Sequence, residues 1–181
     1  SGFAGARPKP SPILSLFSFL YKKENVGFTL QFDDAPSEPI EIAHRAGTPS
    51  YNADVNVNDP NISTLDSGYQ LIEVPLEAIA WGRSGDKGNK ANIGIIARHP
   101  NLLPYIWDTF SEEKIVEIFS HFLENDKIDR HYLPGISGVN YVLHDVLGGG
   151  GTTSLRNDPQ GKGYAQILLS CKISVPKNLL V

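Results

Sequence analysis

The chain has a single cysteine, Cys171, in 181 residues, which excludes an internal disulfide and a cysteine-built zinc site. A reducing compartment, and hence a cytoplasmic protein, is the simple reading. Methionine is absent altogether, so the chain does not begin at an initiator and is expected to be a fragment or a processed chain. An excess of positive charge is missing too. The 16 Lys+Arg against 20 Asp+Glu leave −4, which gives no electrostatic footprint for nucleic acid or an anionic membrane. Long apolar runs are also lacking. The longest, Ile13–Tyr21, is broken by Ser15 and Ser18 and falls far short of the ~18 residues of a membrane span. No signal-peptide pattern stands at Arg7-Pro8-Lys9-Pro10. The histidines His44, His99, His121 and His131 have no ligand spacing, and no metal is expected. Asp54-Val-Asn56-Val-Asn58 imitates a calcium loop but has Asp59 where glycine is needed and Leu65 where glutamate is needed, so calcium is not expected either.

What is present is concentrated in Trp81–Arg98, WGRSGDKGNKANIGIIAR. Gly82, Gly85 and Gly88 recur every third residue, with Arg83, Ser84, Asp86 and Lys87 between them. Apolar residues flank the stretch on both sides, Ile72, Val74, Leu76 and Ile79 before it and Ile93, Ile95 and Ile96 after it. The pattern predicts a charged glycine loop over 82–90 between two buried strands. Such a loop can turn successive N–H groups toward an anion, with Arg83 as a forked donor and Lys87 as a point charge. The alternative is a tight hairpin with solvated charges. A phosphate loop of the GxxxxGK[ST] type is ruled out by spacing, and Ser84 lacks the G-x-S-x-G surroundings of a nucleophile.

Taken in order, residues 1–46 predict a strand pair, Ile13–Tyr21 with Val26–Phe32, and Ile40–Ile42 as a short third strand. Residues 47–68, rich in Asn, Asp, Ser and Pro, predict a linker. Residues 69–181 predict one domain. Within it Pro100–Phe110 is a helix, and Ser111 caps a second whose stripe is Ile115, Ile118, Phe119, Phe122 and Leu123. Arg130–Leu133 is a short strand. Ser137 is read as the cap of another helix, with Val139, Val142, Leu143 and Val146 buried. On that helix Asn140 and His144 lie one turn apart, available to orient or protonate a substrate, the alternative being that His144 is a satisfied structural histidine. Gly148–Gly151 follow, where four glycines predict close approach of a backbone or a ligand, or else a hinge. Arg156, Asp158, Gln160 and Lys162 form a second charged loop, which either meets the first or is ordinary surface, and 167–175 closes the fold as a long strand. The class is α+β, a small mixed or antiparallel sheet with helices on one face.

These residues also resemble a known family. GRSGDKGNKANIGIIAR (82–98), LPGISGVNYVLHDVLGGGG (133–151) and SLRNDPQGK (154–162), in this order, are similar to the C-terminal domain of the acyclic terpene utilisation (AtuA-like) proteins. RPKPSP with LFSFL (7–20) resembles the end of that family's larger preceding domain. The resemblance implies a ferredoxin-like fold, in a variant strand order, and a place in catabolism of branched terpenoid acids as coenzyme A thioesters. Asn89-Lys90 stands where that family usually carries an acidic residue and a small one.

Two readings follow. In the first, Arg83, Ser84, Gly85, Asp86, Lys87, Gly88 and Asn92 cradle an anionic acyl-coenzyme A substrate, joined by Gly149, Gly150, Arg156 and Lys162. His144 and Asn140 then act at the thioester, where a lyase or hydratase step fits better than hydrolysis. No cofactor is evident. In the second, the domain is a non-catalytic dimerisation or interdomain scaffold of the same protein. Its partners are the missing N-terminal domain and further copies of itself as a homo-oligomer. Convergence of Arg83, Lys87, Asn140, His144 and Arg156 in one cleft favours the first reading, and scatter favours the second.

Overall fold

The computed structural model describes residues 12, 17, 19–41, 59–61, 68–151 and 153–180. The chain divides into two compact units, Phe17–Asn56 and the remainder. In the first, β1 (Phe28–Leu30) pairs antiparallel with β2 (Glu38–Ile40), Phe28 opposite Ile40. The partner of the Val26–Phe32 run is therefore the segment after the Asp33-Asp34 turn. In the run before it, Phe17, Phe19, Leu20 and Tyr21 are not in a strand. The linker reading of 47–68 and the calcium-like segment fall almost wholly outside the described residues.

Among its described residues the larger unit holds two sheets. β3 (Leu71–Pro75) pairs antiparallel with β8 (Lys172–Pro176). β4 (Ala80–Lys87), β5 (Lys90–Ala97), β6 (Ile128–Leu133) and β7 (Gly138–Leu143) form an antiparallel sheet of order β4-β5-β7-β6. Two hairpins, β4–β5 and β6–β7, thus lie side by side with the later strand of each at the centre. This connectivity departs from the plain βαββαβ order.

Alternation explains the layers. Along β5, Ala91, Ile93, Ile95 and Ala97 are buried, whereas Lys90, Asn92, Gly94 and Ile96 are not. Along β7, Val139, Tyr141 and Leu143 are fully buried on the same side. Against that side pack α1 (Leu103–Thr109), α2 (Glu112–Phe119) and α3 (Tyr164–Ser170), through Ile106, Ile115, Phe119, Tyr164 and Leu168. The other side of the four-stranded sheet carries none of the three helices.

Ser111 caps α2 as expected, its Oγ accepting from the Lys114 N–H. Two expectations are corrected. The Ser137 segment is strand β7, and Ser137 itself takes a left-handed conformation (φ 51°) at the hairpin bend. Val139, Val142, Leu143 and Val146 have helical spacing, but Val139, Tyr141 and Leu143 also alternate, and the open edge of β5 selects the strand. The second correction is at 164–170, where a helix stands in place of the first half of the expected long strand. Asp158 starts that chain reversal by accepting from the N–H groups of Lys162 (2.9 Å) and Gly163 (2.7 Å).

Candidate functional site

Strand register decides what the glycine stretch can do. Residues 82–87 are not a loop but the interior of β4, and only Gly88 and Asn89 form the turn, Lys87 pairing with Lys90. Gly88 has φ +67°, as the first position of a primed two-residue turn requires. Alternation then splits the candidate residues. Ser84 and Asp86 face the helices, and Arg83, Gly85 and Lys87 face away.

On the helix side Ser84 is fully occupied. Its Oγ donates to the Lys162 carbonyl (3.1 Å) and accepts from the Ala165 N–H (2.9 Å), which ties β4 to the first turn of α3. Gly82 lets α3 approach, since a Cβ there would stand 3.1 Å from Leu169 Cδ1. Lys162 reaches around the β4 edge, its Nζ 3.9 Å from Asp86 Oδ1 and 2.8 Å from where a Gly85 Cβ would be. We expect Ser84→Ala to cost about 1–2 kcal/mol, because a buried N–H and a carbonyl each lose a partner. Urea titration followed by circular dichroism measures this, and a loss below a few tenths would mean that water replaces the hydroxyl.

On the open side, one row across the sheet reads Arg83, Gly94, Asn140, His131. The row beside it reads Gly85, Asn92, Val142, Asp129, and the row on the opposite flank reads Trp81, Ile96, Gly138, Leu133. Asn92 Nδ2 donates to Asn140 Oδ1 (3.2 Å). Arg83 is exposed and makes no hydrogen bond or ion pair among the described residues. Asn140 and His144 share this face but stand four strand residues apart, roughly 13 Å, instead of one helical turn. His144 is buried past the end of β7, its Nε2 2.7 Å from Asp129 Oδ2. That hydrogen bond holds the Asp129 carboxyl below its ordinary range.

The four glycines have a structural task. All four take positive φ, and the Gly150 Cα lies so close to the hairpin turn that a Cβ would fall 2.0 Å from the Gly88 carbonyl oxygen. Asn89 joins the two turns. Its carbonyl accepts from the N–H groups of Val146 and Leu147, and its Oδ1 from the Gly149 N–H (2.7 Å). Its Nδ2 donates to Asp145 Oδ1 (3.1 Å), whose Oδ2 accepts from Asn125 (2.9 Å). The close approach is thus to backbone. Asn89, Asp145 and Asn125 were not among the sequence candidates, although Gly-Asn between two apolar runs is a hairpin signal.

Arg156 lies on the helix side. Its Nη1 donates to the carbonyls of Phe122 (3.1 Å) and Val146, with the guanidinium 5.9 Å from the Phe122 ring. Arg130 acts alike between β6 and the helices. Its Nη1 donates to the Trp107 carbonyl (2.8 Å) and its plane covers the Trp107 ring at 3.8 Å. Its Nε lies 3.1 Å from Glu112 Oε2 without hydrogen-bond geometry, so that contact is purely electrostatic. Burial raises the Tyr141 phenol, which donates to the Phe110 carbonyl (2.8 Å).

The five residues chosen to test convergence therefore scatter. Arg83, Lys87 and Asn140 belong to the open face, His144 is sealed by Asp129, and Arg156 is behind the sheet. Among the described residues no cluster of three or more His, Cys, Asp or Glu could hold a metal ion, and no helix is long and apolar enough to cross a membrane.

Among the described residues the arrangement defines an α+β module whose four-stranded sheet is covered by helices on one side only. The chain matches the family model of the AtuA ferredoxin-like domain over residues 74–174 and belongs to that family. The match spans all four strands of the larger sheet and all three helices. No curated protein and no solved structure matches the chain.

Proposed function

We propose that this domain is a non-catalytic interdomain module, and that the open face of its four-stranded sheet packs on the larger domain that precedes it in AtuA-like proteins. The observation that carries this reading is the composition of that face. At one end Trp81, Ile96 and Leu133 lie exposed in a row. At its middle stands the unpaired Arg83, and at the other end the exposed Lys87, Lys90 and Lys127. The one carboxylate in these rows, Asp129, is already bonded to His144. A partner surface that is apolar at one end and carries carboxylates from its middle to its other end complements it, as in ordinary interdomain contacts. The rival reading, an anionic acyl thioester held at Arg83 and Lys87, draws support from the same free guanidinium. Against it, the groups meant to surround the ligand are split by the sheet, with Ser84 and Arg156 on the helix side.

Tryptophan fluorescence tests the proposal. Trp107 is 6% exposed and Trp81 53%, so acrylamide quenching reports mainly on Trp81. In a longer polypeptide carrying the preceding domain, quenching should fall to the level of a buried indole, and Arg83→Glu should restore it. Unchanged quenching in the longer polypeptide sinks the proposal. So does saturable calorimetric binding of coenzyme A to this chain that Arg83→Ala with Lys87→Ala abolishes, which would establish the anion cradle instead.

A further inference from the structure

A cleft of ≈ 550 Å³ lies apart from the candidate site residues. It opens between the start of α1, the ends of β3 and β8, and the β6–β7 bend. Among the described residues its lining contains no Asp, Glu, Lys, Arg or His, although the chain carries 16 Lys+Arg and 20 Asp+Glu. Instead it has the rings of Tyr69, Tyr105 and Tyr132 and four prolines, of which Pro100 and Pro104 flank Leu103. The structure assigns this cleft as a binding site for an uncharged, largely apolar small molecule with one or two hydrogen-bonding groups.

Three features carry the assignment. The first is charge. A charged ligand would lose water in a cleft whose described lining offers no counter-charge, at a cost of several kcal/mol. The second is rigidity. Proline rings have no side-chain freedom to lose, and Tyr132 is held edge-on by Trp107 at 5.9 Å. Leu103 forms a buried floor. The walls stand ready before a ligand arrives, which keeps the cost of binding low. The third is polarity at the rim. Asn101, Asn178, Ser137 and Tyr132 line the cleft, and their side chains make no hydrogen bond among the described residues. They supply donors and acceptors for orientation, the usual division of labour in a pocket of 300–1,000 Å³.

The probe is N-phenyl-1-naphthylamine, an uncharged apolar fluorophore, compared with 8-anilinonaphthalene-1-sulfonate, which adds an anionic group to nearly the same rings. The neutral dye should saturate at one site per chain and bind at least tenfold more tightly than the anionic one. Asn101→Trp and Asn178→Trp, which fill the cleft from two separate elements, should each weaken it at least tenfold. A variant whose melting transition is lost is set aside and the other decides. Four outcomes overturn the assignment: no saturation, equal or tighter binding of the anionic dye, undiminished binding in a folded filled variant, or loss of binding in Trp81→Ser. Binding of an octaproline peptide that the neutral dye does not displace would also overturn it, by making the cleft a peptide groove.

Discussion

Gly150→Ala is expected to destabilise the domain by about 2–5 kcal/mol, while Gly151→Ala, one residue on, costs about 1 kcal/mol. Both replace glycine at positive φ, +67° and +51°. The difference is what the new methyl meets. At Gly151 nothing lies within 4 Å, whereas at Gly150 the methyl would stand 2.0 Å from the Gly88 oxygen. Backbone faces backbone there, so no rotamer change can relieve the overlap, and the two turns must separate. That breaks the Asn89 hydrogen bonds as well. A loss of this size is a large share of the roughly 5–15 kcal/mol that holds a domain folded. Urea midpoints of the two variants measure it, and equal losses would show that the turns are not in contact.

Asn89→Asp is expected to cost about 2–3 kcal/mol at neutral pH and to recover in acid. The new carboxylate can still accept from the Gly149 N–H, but its second oxygen replaces a donor 3.1 Å from Asp145 Oδ1. Two carboxylates so close cannot both ionise cheaply, so the pair's proton affinity rises in the folded state above its unfolded value. The folded state then binds more protons, and stability falls as pH rises through the raised pKa and returns below it. Asp145→Asn on top of Asn89→Asp should restore neutral-pH stability. The amide introduced at position 145 would donate to the carboxylate introduced at position 89, and its oxygen would accept from Asn125. Thermal melts of the three variants between pH 4 and pH 7.5 decide this. A pH-independent loss, or no rescue in the double variant, would remove Asn89 from its role as the link between the turns.

The candidate site was legible as a set of residues but not as a geometry. Ser84 sits in a charged glycine stretch, yet its hydroxyl is spent on Lys162 and Ala165, more than 75 residues away in sequence. Arg156 looked like a ligand-binding cation and instead serves two carbonyls. Nothing in the local sequence of either distinguishes a structural donor from a functional one. The distinction is the presence of an orphaned backbone group nearby, and that is supplied by another element.

Local chemistry by itself determined the α+β class, the Ser111 cap of α2 with Ile115 and Phe119 on its buried face, and the strand that follows the Gly88–Asn89 turn. In those places capping, periodicity and turn residues agree, and each acts within a few residues. The identity of 138–143 was decided only in the tertiary structure, because its apolar residues satisfy a helical and a strand period alike and the unpaired edge of β5 chose between them. The register across the sheet was decided there too, setting Arg83 beside Gly94 and Asn140 and turning Ser84 to the helices. Strand pairing joins residues far apart in the chain, and a shift of one residue would exchange the two faces.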